Sequence, residues 1–319
     1  MKYRKLGASG LEVSEISLGS WLTVGGSLED ERSAEIIHKA YALGINFFDT
    51  ANGYNGGRAE EVLGNELGRY DRRRLVVGTK VYWDTEGGPN FLGLSRKHIF
   101  ESCEASLKRL QMGYVDIMQC HNYDETTPLL ETLRALDDLQ AQGKVLYAGV
   151  SNWPATAVTE AARLAKRHGL RPLISNQPIY NLINRENEPA VMPACDAAGM
   201  GWVIYSPLAQ GVLTGKYASK KAPKGSRATD AKRNHWLKPL LAPKIQAAVR
   251  QLASLAKSKK MTPGQMALAW CLSKKTVSSA IVGATSIPQL EENAAASGKA
   301  LDEKTLAALE ALFPIGGLK

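Results

Sequence analysis

INFFDTANGYNGGRAEEVLG, residues 45–64, opens with an apolar run, Ile45 to Phe48, that stops at an acid. Aspartate leaves strands readily because its side chain hydrogen-bonds nearby backbone, so a buried strand entering a turn is one reading of Asp49. The rest of the chain decides whether that strand end is ordinary, because the same kind of run recurs. Short β-rich apolar stretches appear at EISLGSW (15–21), LVVGTKV (75–81), VDIMQCH (115–121), LYAGVSN (146–152), PLISNQPIY (172–180), GWVIYSPL (201–208) and SSAIVGA (278–284). Between them lie apolar residues at three- and four-residue steps, such as Phe100, Cys103, Leu107 and Leu110, or Leu129, Leu133 and Leu136, which read as helices.

Continuous hydrophobic strands separated by helices argue for a parallel sheet covered on its outer face. Eight repeats in 319 residues favour a closed (β/α)8 TIM barrel over an open doubly wound sheet. The open sheet is further weakened because no GxGxxG turn follows an early strand, and SLGSWLTVGG does not fit that spacing. MKYRKLGASGLEVSEI reads as an N-terminal β-hairpin turning at Ala8-Ser9-Gly10 and capping one end of the barrel. A long insertion separates strands seven and eight, with helical segments expected near 242–259 and 263–274. No linker or repeat divides the chain, so residues 1–319 are read as one domain.

With 40 basic and 31 acidic residues the chain carries a formal charge of +9. Much of the excess lies in KYASKKAPKGSRATDAKR (216–233), which holds seven Lys or Arg against one Asp and reads as a surface loop. No nucleic-acid motif accompanies it, so nucleic acid is not expected as a partner. Cys103, Cys120, Cys195 and Cys271 are scattered without CxxC or zinc-ligand spacing, and neither a disulfide framework nor a metal site is expected. The N-terminus lacks the apolar core of a signal peptide and no stretch is long enough to cross a bilayer, so a cytoplasmic protein without membrane insertion is expected.

Parallel barrel strands bring their C-terminal ends to one mouth, where Asp49, Lys80, His121, Ser151, Asn152, Gln177, Tyr205 and Ser206 become neighbours. Singly, each has an ordinary explanation. Together, an acid, a lysine, a histidine and the nearby Tyr54 suggest proton chemistry. A tyrosine of pKa about 10 shuttles protons poorly at neutral pH unless a cation favours its phenolate. Lys80 is expected to supply that cation and lower the Tyr54 pKa, Asp49 to hold Lys80 charged, and His121 to donate a hydrogen bond to a substrate oxygen. Reduction of a carbonyl needs this arrangement, because charge develops on its oxygen and must be protonated.

An ordered series spans nearly the whole chain: KYRKLGASGLEVSEISLGSW, FFDTANGYNGGRAEEVLG, VVGTKV, YVDIMQCHN, GVSNW, NQPIYN, YSPLAQGVLTGKY and IVGATSIPQLEEN. In it the sequence resembles the aldo-keto reductases, and within them the branch related to the β subunits of voltage-gated potassium channels. The resemblance implies a barrel that transfers hydride from a nicotinamide, usually NADPH, to an aldehyde or ketone without a metal. It assigns Tyr54 as general acid, Lys80 as its partner, Asp49 as the partner of Lys80, and His121 as the group that orients the carbonyl. It implies that the glycines around Tyr54 let the loop bring the phenol over the cofactor.

For NADPH or NADP+ the resemblance implies contacts from Ser20, Trp21, Asp49, Ser151, Asn152 and Gln177, with Tyr205 stacking on the nicotinamide. Ser206, Pro207, Leu208, Ala209 and Gly211 match a pyrophosphate clamp with Lys216 as charge partner. Arg227 matches a position facing a 2′-phosphate, a good partner for a guanidinium fork. Gly283, Thr285, Gln289, Glu292 and Asn293 match the adenosine end. Trp21, Tyr54, Trp83, His121, Tyr123 and Trp153 are expected in the substrate pocket, with Tyr82 and Trp236 also near strand ends, a rim suited to apolar carbonyls.

One departure counts. The channel-subunit branch typically carries asparagine where this chain has His121, and histidine is the pattern of the broader reductase family. The leading expectation is an NADPH-dependent carbonyl reductase. The alternative is an NADPH-binding accessory or sensor subunit that docks on a partner such as a potassium channel. The oligomeric state is left open, a homo-oligomer included.

Overall fold

The structure, a computed structural model, describes residues 1–218, 226–229 and 234–317. Two short strands, β1 (Tyr3–Lys5) and β2 (Glu12–Ser14), pair antiparallel as the expected hairpin. Eight parallel strands then close into a barrel in the order β10-β3-β4-β5-β6-β7-β8-β9. They are β3 (Ile16–Gly19), β4 (Phe47–Asp49), β5 (Val76–Val81), β6 (Val115–Cys120), β7 (Val145–Ser151), β8 (Ser175–Gln177), β9 (Gly201–Ile204) and β10 (Val277–Val282).

Helices α1 (Asp30–Ala42), α2 (Arg58–Leu67), α3 (Arg96–Leu110), α4 (Leu129–Ala141), α5 (Ala155–His168) and α6 (Val191–Ala197) follow β3 to β8 in turn. The long β9–β10 connection carries α7 (Pro243–Ser258) and α8 (Pro263–Leu272), close to the segments expected. Proline at the first helical position and a Thr262–Gln265 capping box start α8, whose residues from Gly264 to Leu272 are buried apart from Gln265. After β10 come α9 (Ile287–Ala294) and α10 (Glu303–Leu312). No helix among the described residues is long and apolar enough to cross a membrane.

Every residue of β5 and β6 is buried, which is why these strands read as apolar runs without alternation. The alternation appears instead in what each strand sends into the barrel. Phe47, Val76, Ile117, Val203 and Ile281 form an interior apolar cluster with Ile174 and with Leu6 and Val13 of the hairpin. Two or four residues farther along the same faces stand Asp49, Lys80, Gln119 and Tyr205. The interior thus passes from apolar at the hairpin end to polar at the mouth.

Candidate active site

The mouth is built from strand ends. Lys80 Nζ, fully buried on β5, donates to Asp49 Oδ2 at 2.6 Å and to the Thr50 carbonyl at 2.8 Å, and lies 3.3 Å from Tyr54 Oη. Asp49 is 3% exposed, so the pair is shielded from water. Burial opposes the charge on Lys80, but the Asp49 carboxylate and Tyr54 together outweigh it and the net direction is upward, which keeps the ammonium charged. Asp49 Oδ1 accepts from Gln177 Nε2 at 2.8 Å and from Gln119 Nε2 at 3.3 Å.

Gln119 was not among the residues anticipated. It stands two residues before His121 and so faces the same interior, in a slot where Gly78 and Gly149 carry no side chain. A Cβ on Gly149 would fall 3.4 Å from Gln119 Cγ. Two-residue spacing from a strand-end histidine is the sequence signal that could have found it.

Tyr54 sits on a short turn, Tyr54–Gly57, between β4 and α2. The three residues after it are left-handed, with φ of 51° at Asn55, 64° at Gly56 and 90° at Gly57, so the chain doubles back into α2. Gly53 has an ordinary negative φ, so the requirement for glycine falls after the tyrosine and not before it. The Tyr54 ring meets His121 edge-on with centroids 5.6 Å apart.

The expectation that Lys80 lowers the Tyr54 pKa is corrected. Burial raises it, the Asp49 charge adds to that, and Lys80 offsets only part, so Tyr54 remains a phenol well past neutrality. Burial, followed by the Lys80 charge, holds His121 down to about 3, so its imidazole is neutral.

The groups expected around a nicotinamide are linked to one another. Ser151 Oγ donates to the Gln177 carbonyl at 2.8 Å, Asn152 Nδ2 to Ser151 Oγ at 3.2 Å, and Tyr205 Oη to Asn152 Oδ1 at 3.2 Å. Asn152 takes φ of 56° to reach this position. Ser20 Oγ and His121 Nδ1 are buried without a hydrogen-bond partner, an arrangement that native interiors avoid unless a further group meets them.

After β9, left-handed Ser206, Ala209, Gln210 and Gly211 turn the backbone of the YSPLAQG stretch sharply past Pro207 and Leu208. A Cβ on Gly211 would lie 2.8 Å from Lys216 Nζ, so glycine here lets the lysine fold across the turn. Orphaned polar atoms, a sharply turned backbone and an adjacent ammonium suit a nicotinamide with its pyrophosphate.

At the far end Ser286 caps α9, and Gln289 Oε1 accepts from the Thr285 backbone and hydroxyl at 3.0 Å each. Gly283 and Thr285 are exposed beside that cap. Glu292 is committed to α8, accepting from Thr262 Oγ1 at 2.7 Å, and Asn293 is buried. The side chain of Arg227 and most of the basic stretch lie outside the described residues.

The aromatic rim is corrected at one position. Trp83, half exposed, stands 6.5 Å from the His121 ring and 4.9 Å from Tyr82, and Trp21 is also exposed. Trp153 is instead 1% exposed, packing edge-on against Tyr123 while its indole donates to the Asn122 carbonyl. An apolar ring beside a strand end is as useful under the mouth as on it. Trp236 is exposed and its ring packs on His235.

The aldo/keto reductase family model matches residues 15–313. The chain is 42% identical over 305 residues to a probable voltage-gated potassium channel subunit beta of Oryza sativa subsp. japonica, covering 95% of this chain and 92% of that protein. It is 41% identical over 296 residues to a protein of the same description from Arabidopsis thaliana, covering 92% and 90%. The barrel, its polar mouth and these matches agree: the chain belongs to the aldo/keto reductase family, a family of oxidoreductases.

Proposed function

We propose that the protein is an NADPH-dependent carbonyl reductase in which Tyr54 donates the proton to an aldehyde or ketone. The observation that carries this reading is the buried Lys80–Asp49 pair with Nζ 3.3 Å from Tyr54 Oη, beside a neutral His121. Bound at the residues described above, the dihydronicotinamide would supply the hydride. The chain's own groups attend to the oxygen. His121, neutral, and Tyr54, a phenol, both present hydrogen-bond donors, and these strengthen as the carbonyl oxygen gains charge.

When Tyr54 gives up its proton, the phenolate faces the Lys80 ammonium. Across 3.3 Å the attraction is on the order of 5 kcal/mol at an effective dielectric near 20, before the opposing Asp49 charge is counted. Lys80 therefore acts at the end of the step and not in the resting state, where burial keeps the proton on Tyr54.

The preference for NADPH over NADH rests on Arg227, which matches the position facing a 2′-phosphate, the one group NADH lacks, and a lower KM for NADH would overturn it. Trp21, Trp83 and Tyr123 support apolar or aromatic carbonyls as substrates. Absorbance at 340 nm, followed with NADPH and a panel of aldehydes and ketones for wild type and Tyr54→Phe, tests the proposal. Turnover in wild type that collapses in the variant is expected; equal turnover by both would remove Tyr54 from its role. A second reading rests on the names of the two plant relatives: a subunit that binds NADPH as a signal and docks on a channel. NADPH binding without consumption of any carbonyl would favour it.

A further inference from the structure

Gly56, in the middle of the Tyr54 turn, has open space around it, so packing at that point does not fix the loop. Yet three successive left-handed residues require something to select that conformation. Two contacts do so. On one side Asn55 Nδ2 donates to the Val24 carbonyl at 2.9 Å, and Gly25 and Gly26 come close enough that a Cβ on either would collide with Arg58 or Asn55. On the other side the Arg109 side chain lies along Gly57, where a Cβ would fall 2.8 Å from Arg109 Cδ.

Arg109, on α3, is held there by Glu60. The Glu60 carboxylate is fully buried in the first turn of α2, accepts from Arg109 Nε at 2.7 Å through Oε2, and accepts from Thr79 Oγ1 through Oε1. Thr79 is itself buried and precedes Lys80 on β5. One carboxylate thus ties the strand that carries Lys80 to the arginine that abuts the Tyr54 turn. Burying an ion pair is weak support for stability, and specifying one geometry is the better-founded use of such a pair. Asn52, Thr85 and Arg109 also line a cavity of about 40 Å³ beside the turn, which gives the loop room to shift if the arginine is lost.

We propose that Glu60 and Arg109 are positioning residues of the reaction: they fix the distance between the proton donor Tyr54 and Lys80 without touching substrate or cofactor. The proposal rests on the reading of Tyr54 as proton donor. A loosened turn lets Tyr54 drift from Lys80, which slows proton donation more than it disturbs the cofactor site across the mouth.

The test measures carbonyl reduction, NADPH affinity by fluorescence titration and the solvent deuterium isotope effect on kcat, for Glu60→Gln, Arg109→Ala, Arg109→Lys and Tyr54→Phe. Glu60→Gln and Arg109→Ala should lose about tenfold to a hundredfold in kcat, as expected for a small misplacement of a reacting group. Their NADPH affinity should stay within about twofold of wild type, the solvent isotope effect should rise, and Arg109→Lys should recover most of the rate.

Wild-type kcat in both variants, or a loss of kcat that parallels lost affinity at an unchanged isotope effect, would overturn the proposal. If Tyr54→Phe turned over like wild type, the proton-donor reading itself would fall, and this proposal with it. Should Glu60→Gln not fold, Arg109→Ala, which removes the arginine and leaves the carboxylate in place, must by itself show the loss and the raised isotope effect.

Discussion

The two ends of this barrel are built on opposite terms. At the hairpin end Leu6 and Val13, both fully buried, close an apolar interior of Phe47, Val76, Ile117, Ile174, Val203 and Ile281. The hairpin is fixed by Ala8 N donating to the Gly199 carbonyl at 2.8 Å and by Arg4, which bonds both Glu15 and the Val277 carbonyl. At the mouth the same strand faces carry Asp49, Lys80, Gln119 and Tyr205, joined by His121 and Gln177, with orphaned polar atoms and left-handed residues among the loops. One end stabilises the barrel and the other uses that stability to hold charge and strain in place. Strands β4, β5, β6 and β9 contribute to both because their inward side chains are sorted along their length.

Substitutions at the two ends should therefore separate activity from stability. The largest effect is expected for Lys80→Met. Loss of the cation facing Tyr54 should cut kcat by about 10²- to 10⁴-fold, the usual scale for proton-transfer catalysis. Leaving Asp49 buried without its partner should also destabilise the fold by about 3–5 kcal/mol in denaturant titration. Unimpaired turnover by Lys80→Met would break the account of the mouth.

Leu6→Ala should cost about 2–5 kcal/mol of stability from the far end, yet leave kcat and KM of the folded protein within about twofold of wild type. A large loss of kcat in folded Leu6→Ala would break the division between the ends.

The third expectation concerns pH. His121 is held to about 3 in the folded chain against about 6.5 when unfolded, so the unfolded state binds the extra proton between those values. The stability that depends on neutral His121 is fully present above about 6.5 and is lost as pH falls toward 3. Denaturation midpoints measured over that window should fall less steeply in His121→Gln than in wild type, and parallel slopes would contradict the neutral imidazole. The smallest effect is expected for Gln119→Leu, which removes the longer of the two amide bonds to Asp49 Oδ1. A stability loss of about 1 kcal/mol should accompany it, checked by the same titration.

Much of this was legible in the sequence because the barrel writes itself as apolar runs ending in polar residues, and Asp49, Lys80 and His121 fall at those ends. Tyr54 stands out in the sequence through the glycines that flank it, although the structure needs only those that follow. What stayed hidden depends on neighbours distant in the chain. Gln119 points at Asp49 only because Gly78 and Gly149 on flanking strands leave it a slot. The Glu60–Arg109 pair joins residues 49 positions apart. Trp153 gave no sign of being buried, since nothing in GVSNW tells whether a ring lies on the mouth or under it. The direction of the Tyr54 pKa is not legible in the sequence for an energetic reason: burial and the opposing charge on Asp49 together exceed the attraction to Lys80, and neither is visible before the chain folds.

The central claim is that this mouth delivers hydride to a carbonyl carbon while Tyr54 protonates its oxygen. Incubation of the wild-type protein with NADPH deuterated at nicotinamide C4, on each face in turn, and an aromatic aldehyde tests it most directly, with the alcohol analysed by mass spectrometry. The account predicts deuterium on the alcohol carbon from one face of the ring only. NADPH that binds while no deuterium from either face reaches the aldehyde would contradict it.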